Sequence, residues 1–229
     1  MYKLIIFDLD GTLLNSIEDL ANSVNYTLQR YNLPTHPVNS YKLFIGNGVN
    51  KLIERALPEN LQTTDQVEKL KQEFIKHYNL HSEDKTTPYE GIETLLSTLQ
   101  SENFKIAIAS NKFHEATVAL SKKYFPTISF FEVLGQREGF ATKPDPTILN
   151  EIINKAGVEN NEVLYVGDSG VDASTARNAN VDFVGVLWGF RTKTELEQNS
   201  AKLFAIDCHE LYTHIKKLRV QPNILDQKK

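Results

Sequence analysis

The feature that most constrains this chain is a set of short apolar runs: Leu4–Phe7, Ile106–Ala109, Val163–Val166, Phe183–Leu187 and Leu203–Ile206. Each is brief, β-branched or aromatic, and closed by polar or turn residues. Such runs read as strands buried on both faces. Helical patterns lie between them: Ile92, Leu95, Leu96 and Leu99 form one stripe, and Ile148, Leu149, Ile152 and Ile153 another. Strands that alternate with helices imply βαβ units and an α/β fold with a doubly wound, Rossmann-like parallel sheet.

The stretch from about Ser16 to Ser82 breaks that rhythm. Ser16 reads as a helix N-cap, with Asp19 as a short capping-box acid. Ile17, Leu20, Ala21, Val24 and Leu28 then keep helical spacing until Pro34. Val49, Leu52, Ile53 and Ala56 form a second helical face, and Val67, Leu70, Phe74 and Tyr78 a third. Several helices without an intervening strand imply an inserted all-helical cap domain over 16–82, with 1–15 and 83–229 as the catalytic α/β core. The polar residues after about Arg219, with Pro222, read as a frayed tail.

Bulk composition narrows the function. Hydrophobic residues make up 41% and charged residues 24% of 229, as in an ordinary globular chain. The net charge of -4 comes without a basic stripe, so no nucleic-acid partner is expected. No apolar run reaches the ~20 residues that span a bilayer, so no membrane partner is expected either. Cys208 is the sole cysteine, which rules out an intramolecular disulfide and suits a reducing compartment. The expected location is cytoplasmic, and the expected state monomer or homodimer.

Polar clusters sit where the apolar runs end. Asp8 and Asp10 follow the first strand, Ser110, Asn111 and Lys112 the second, and Asp168, Ser169 and Asp172 the third. Lys143 lies in the loop Thr142-Lys143-Pro144-Asp145-Pro146. In a parallel sheet these groups converge on the rim at the strands' carboxyl ends, where ligands bind. Crowded carboxylates there demand a cation, and Mg²⁺ suits a site with few carboxylates and a phosphate oxygen. A carboxylate beside the ion can attack a phosphoryl group. Lys143, Ser110 and backbone N–H groups can position and neutralise that group. A second carboxylate two residues on can serve as general acid and base. Singly, each cluster is an ordinary turn or cap; together, in this order, they form a chemically complete set.

Asp8-Leu9-Asp10-Gly11-Thr12-Leu13, Ser110, Lys143 and Gly167-Asp168-Ser169-Gly170-Val171-Asp172 resemble the four motifs of the haloacid dehalogenase superfamily. The resemblance implies that Asp8 is the nucleophile and Asp10 the acid/base. It implies that Ser110, Asn111 and Lys143 hold phosphate, and that Asp8, Asp10 (through its carbonyl) and Asp168 hold Mg²⁺. Asp172 and Ser169 would support the site. Within the superfamily, Ile45-Gly46-Asn47-Gly48-Val49, Glu54-Arg55-Ala56-Leu57, Ser110-Asn111-Lys112 and Trp188-Gly189-Phe190-Arg191 are similar to phosphoglycolate phosphatases. Asn15 and Asn180 depart from that pattern, where Asp and Gly are commoner.

The resemblance implies a Mg²⁺-dependent phosphatase acting on a small phosphorylated metabolite, 2-phosphoglycolate first, through an aspartyl-phosphate. The alternatives are an inorganic pyrophosphatase, a sugar-phosphate phosphatase or a phosphomutase of the same superfamily. A dehalogenase is disfavoured by Asp10, and a non-enzymatic phosphate-binding module by the intact set. In the cap, Gly46, Asn47, Gly48 and Arg55 are the expected specificity residues. There the N-terminus of the helix after Asn47 offers unpaired N–H groups to the substrate's non-reacting end. His77 and His81, spaced as zinc ligands can be, read instead as a solvated helix face, and Cys208 as a buried small residue.

Overall fold

The computed structural model describes residues 2–218, so the expected C-terminal tail lies outside the described residues. The main sheet has six parallel strands in the order β5-β4-β1-β6-β7-β8. They are β1 (Leu4–Phe7), β4 (Lys105–Phe113), β5 (Glu132–Gln136), β6 (Val163–Gly167), β7 (Asp182–Val186) and β8 (Phe204–Ala205). The apolar runs become buried strands for a simple reason. Side chains alternate between faces, so Ile5 and Phe7 enter one core and Leu4 and Ile6 the opposite one. Helices α5 (Ile92–Ser101), α6 (His114–Tyr124) and α10 (Cys208–Leu218) cover the first face. Helices α7 (Thr147–Ala156) and α8 (Gly170–Ala179) cover the second, and α9 (Lys193–Gln198) clusters its Leu196 with Ala173 of α8. From β1 the chain steps to β4 and β5 on one side, then returns to β6, β7 and β8 on the other. That reversal of strand order makes the carboxyl end of β1 the switch point.

The helical insert consists of α1 (Ile17–Arg30), α2 (Tyr41–Phe44), α3 (Gly48–Ala56) and α4 (Thr64–His81). Its own apolar core takes Leu20, Val24, Leu28, Tyr41, Leu52, Ile53, Leu70, Phe74 and Tyr78, plus Ala116 and Phe190 from the sheet domain. The fold is therefore a doubly wound α/β core with an inserted helical cap. Two short antiparallel strands, β2 (Leu14–Asn15) and β3 (Thr87–Pro88), join the two parts.

Ser16 occupies the N-cap position of α1, but the expected capping box does not form. Its hydroxyl donates to Asp10 Oδ1 at 2.5 Å instead. The Asp19 carboxylate is buried and accepts from Lys85 N, Thr86 N and Thr86 Oγ1 at 2.7–3.0 Å. Asp19 thus ties the start of the insert to its end, a long-range bond that outcompetes the local one. His77 and His81 stack on each other at 4.3 Å, and His77 also stacks on Tyr26 at 3.9 Å. No further acidic or thiol ligand joins them in a metal-ligating cluster among the described residues. Asn180 takes φ 54 as the left-handed C-cap of α8, a conformation Asn tolerates best after Gly. Its departure from the usual glycine is accommodated in place.

Candidate active site

Asp8 leaves β1 into the switch point with its N–H bonded to Val166 O of the neighbouring strand. It is buried, as are Ser110, Asn111, Lys112, Lys143, Asp168, Ser169 and Asp172 around it. β4 runs four residues past the expected run, and its pairing with β5 becomes irregular between Ala109 and Phe113. That irregularity carries Ser110, Asn111 and Lys112 over the rim. The expected core residues therefore do assemble in one place.

Lys143 is the hub. Its ammonium donates to Asp172 Oδ1 (2.7 Å), Tyr165 OH (2.8 Å) and Ala109 O (3.1 Å) and lies 2.9 Å from Asp8 Oδ1. The contact with Asp8 has ion-pair distance without hydrogen-bond alignment, so Asp8 Oδ1 is a buried oxygen with no donor aimed at it. Asp172 has no such freedom. Its Oδ2 accepts from Ser169 N and Oγ while its Oδ1 accepts from Lys143 and Tyr165. Tyr165 carries no sequence signal of this role, because it sits inside an apolar strand and reads as core.

The electrostatics follow from this crowding. Burial pushes Asp8 up to about 7, with Lys143 pulling it down and Asp172 pushing it further up. Burial, then the charges of Asp172 and Asp8, hold Asp168 well above the usual carboxylate range. Burial also works against Asp172, yet Lys143, by its charge and its hydrogen bond, and the hydroxyls of Ser169 and Tyr165 keep it below its ordinary value. Carboxylate oxygens of Asp8, Asp168 and Asp172 lie within 4.8 Å of one another. With Asp172 committed to Lys143, Asp8 and Asp168 are the pair available to a divalent cation. The undirected Asp8 oxygen and the raised Asp168 are what a hard cation would relieve, so the residues present fit Mg²⁺.

Glycine makes room for this arrangement. At Gly11, which has φ +84, a Cβ would come within 2.4 Å of Asp168 Oδ2. A Cβ at Gly189 would lie 2.4 Å from both Asp168 Cβ and Gly11 O. The Phe190 N–H next door donates to Asp168 Oδ2 at 2.7 Å, a main-chain contact that no side-chain pattern announces.

Asp10 faces a cleft rather than the Lys143 cluster. Both its oxygens lie 3.1 Å from Lys112 Nζ. Burial works against the Lys112 ammonium, but Asp10 and Tyr78 outweigh it and hold the pKa above its ordinary value. The cleft has a void of about 620 Å³ including its mouth, and insert and core line it together. Asp8, Asp10, Ser110, Asn111, Lys112, Asp168 and Ser169 form the polar end. Leu20, Val49, Leu52, Phe74, Phe113 and Phe190 form the apolar wall.

Of the expected cap residues, Gly46 and Gly48 line this cleft, whereas Asn47 and Arg55 are not among its lining. Arg55 donates to Asn47 Oδ1 (2.8 Å) and to Phe44 O (2.9 Å). The loop is also gripped from the core, where Asn111 Nδ2 donates to Gly46 O (2.9 Å) and Arg191 to Ile45 O (2.8 Å). The Asn111 amide holds the Lys143 backbone at both its N–H and its carbonyl. Its side chain is thus spent on the two loops.

This constellation has known counterparts. A family model described as haloacid dehalogenase-like hydrolase matches residues 5–186. The chain belongs to that family. A phosphoglycolate phosphatase of Mesorhizobium japonicum is 33% identical over 189 residues, 82% of this chain and 83% of its own. One of Haemophilus influenzae is 32% identical over 218 residues, 93% of this chain and 97% of its own. A crystal structure of a predicted phosphoglycolate phosphatase from Haemophilus somnus superposes with a TM-score of 0.86 at 28% identity, covering 93% of this chain and 98% of that one. This haloacid dehalogenase-like hydrolase is thus an enzyme similar to phosphoglycolate phosphatases in sequence and fold. No helix among the described residues is long and apolar enough to cross a membrane.

Proposed function

We propose that this enzyme is a Mg²⁺-dependent phosphatase of small phosphate monoesters, 2-phosphoglycolate first, working through a phosphoryl group on Asp8. The observation that carries the reading is Asp8 itself. It is a buried carboxylate at the switch point with one oxygen free of directed donors, between Lys143 and the cleft. An Asp8 oxygen attacks phosphorus, the ester P–O bond breaks, and Asp10 gives its proton to the leaving oxygen. Asp10 then takes a proton from water, which attacks the phosphorus of phospho-Asp8 and releases inorganic phosphate. Ser110, the Asn111 backbone and Lys143 hold the phosphoryl oxygens, while Asp172, Tyr165 and Ser169 hold Lys143 in place. Mg²⁺, bound by Asp8, Asp168 and the Asp10 carbonyl, would neutralise the phosphoryl charge so that an anionic carboxylate can approach it.

The likeness to phosphoglycolate phosphatases in sequence supports a small phosphate monoester over pyrophosphate. Residues 16–82 act as the cap over a core of 1–15 and 83–229, and the Gly46–Gly48 loop closes over the substrate's non-reacting end. The test is a panel of 2-phosphoglycolate, pyrophosphate, sugar phosphates and p-nitrophenyl phosphate, with Mg²⁺ and with EDTA. The expected result is metal-dependent phosphate release, greatest from 2-phosphoglycolate. Full activity in EDTA, or pyrophosphate as the preferred substrate, would overturn it.

A further inference from the structure

Resting on that reading, we propose that Lys112 is the residue that recognises the substrate's organic end, and that it reads a carboxylate one carbon from the ester oxygen. Three observations carry this. Lys112 Nζ lies 3.1 Å from both oxygens of Asp10, the group that meets the leaving oxygen. An atom that touches Asp10 this closely lies within reach of whatever is bonded to that oxygen. In a 2-phosphooxy carboxylate the anionic group begins two bonds away from it.

Second, the ammonium is fixed rather than mobile. Its side chain is 2% exposed, and the ammonium sits 4.5 Å from the centre of the Tyr78 ring, which α4 of the cap supplies. A pre-placed charge in a dry site binds an anion without paying to order a flexible stem.

Third, the cleft provides few other cations. Lys112 and Arg191 are the two basic residues in its lining. The Arg191 guanidinium is engaged by Ile45 O at 2.8 Å and by Glu195 at 3.5 Å. Lys143 is turned to Asp8, Asp172 and Tyr165. The apolar wall would strongly disfavour an unpaired carboxylate, so the anion must be met at the polar end. Shared between Asp10 and a substrate carboxylate, Lys112 would favour short 2-phosphooxy acids over neutral alkyl phosphates. It would also penalise acids whose carboxylate stands further off.

The experiment compares kcat/KM for 2-phosphoglycolate and ethyl phosphate, which keeps the two-carbon skeleton without the carboxylate, in the wild type and in Lys112→Met and Lys112→Arg. A charge-assisted contact predicts that Lys112→Met loses about ten- to a hundredfold more on 2-phosphoglycolate than on ethyl phosphate, chiefly in KM. Lys112→Arg should recover part of that difference. Equal losses on both substrates would mean that Lys112 acts only through Asp10, and would overturn the inference while the phosphatase reading stands. A wild-type comparison needs no folded variant. With 3-phosphooxypropanoate, whose carboxylate is one carbon further away, the advantage over ethyl phosphate should largely vanish; an undiminished advantage would also overturn it. Hydrolysis of none of these esters by the wild type would defeat the phosphatase reading itself.

Discussion

Asp8→Asn separates the chemistry of the site from its electrostatic cost. In the cation-free protein, burial holds Asp8 at about 7, against an ordinary 3.8. A folded pKa above the unfolded one means that the native state binds the extra proton. The penalty for ionising Asp8 is therefore absent below about pH 4, grows as pH rises, and is complete above about pH 7. With each pH unit worth about 1.4 kcal/mol, the ceiling is about 4 kcal/mol. Relaxation and water in the open cleft should leave about 1–2 kcal/mol, or roughly 2–8 °C in Tm for a chain of this size. Asparagine has the shape of the protonated acid and carries no such penalty. Thermal unfolding in EDTA should therefore show Asp8→Asn more stable than wild type near pH 8 and equal to it near pH 4. Mg²⁺ should close the gap by stabilising the wild type. A variant less stable at both pH values, or a gap that does not widen with pH, would refute the reasoning. Turnover by the variant should be abolished.

Asp10→Asn should lower kcat by ~10²–10⁴-fold on an alkyl phosphate, and by much less on p-nitrophenyl phosphate, whose leaving group needs no proton. Equal losses on the two substrates would contradict the acid role. Gly189→Ala should raise the Mg²⁺ concentration needed for half-maximal rate, because its methyl would lie 2.4 Å from Asp168 Cβ and from Gly11 O. An unchanged Mg²⁺ titration would show that this close approach does not set the carboxylate. Gly48→Val should raise KM for charged and neutral esters alike. Its φ of +82 strains any β-branched residue, and the loop it distorts docks on Asn111. A KM change confined to carboxylated esters would assign the loop, instead of Lys112, to the carboxylate.

The strands at the site were legible because they are buried on both faces, which leaves continuous apolar runs in the sequence. β5 was not. It is an edge strand whose Gly135 is demanded by packing, since a Cβ there would meet Lys112 O and Thr117 Oγ1 at 2.5 Å. A glycine and two polar ends hide it from any pattern of hydrophobicity. The cap helices are legible from their spacing, yet Asp19 misleads because a local capping pattern and a long-range anchor draw on the same residue type. Among site residues, Asp8 and Asp168 are legible through their positions after apolar strands, and Lys143 through the proline-flanked loop before a helix. Tyr165, Phe190 and Arg191 act through a hydroxyl in a core strand, a backbone N–H and a reach across the cleft. The last two lie in the Trp188–Arg191 segment, whose resemblance was visible while its contacts were not. Asn47 and Arg55 carry the pattern of cap specificity residues, and here their side chains bond each other and α2.

The central claim is that phosphate passes through Asp8. Wild-type enzyme mixed with 2-[³²P]phosphoglycolate and Mg²⁺, quenched in acid on the millisecond scale and digested, tests it directly. The account predicts label on the peptide that carries Asp8, formed and lost as fast as turnover, and absent from Asp8→Asn. Steady turnover with no labelled protein at any quench time, or label on another residue, would contradict it.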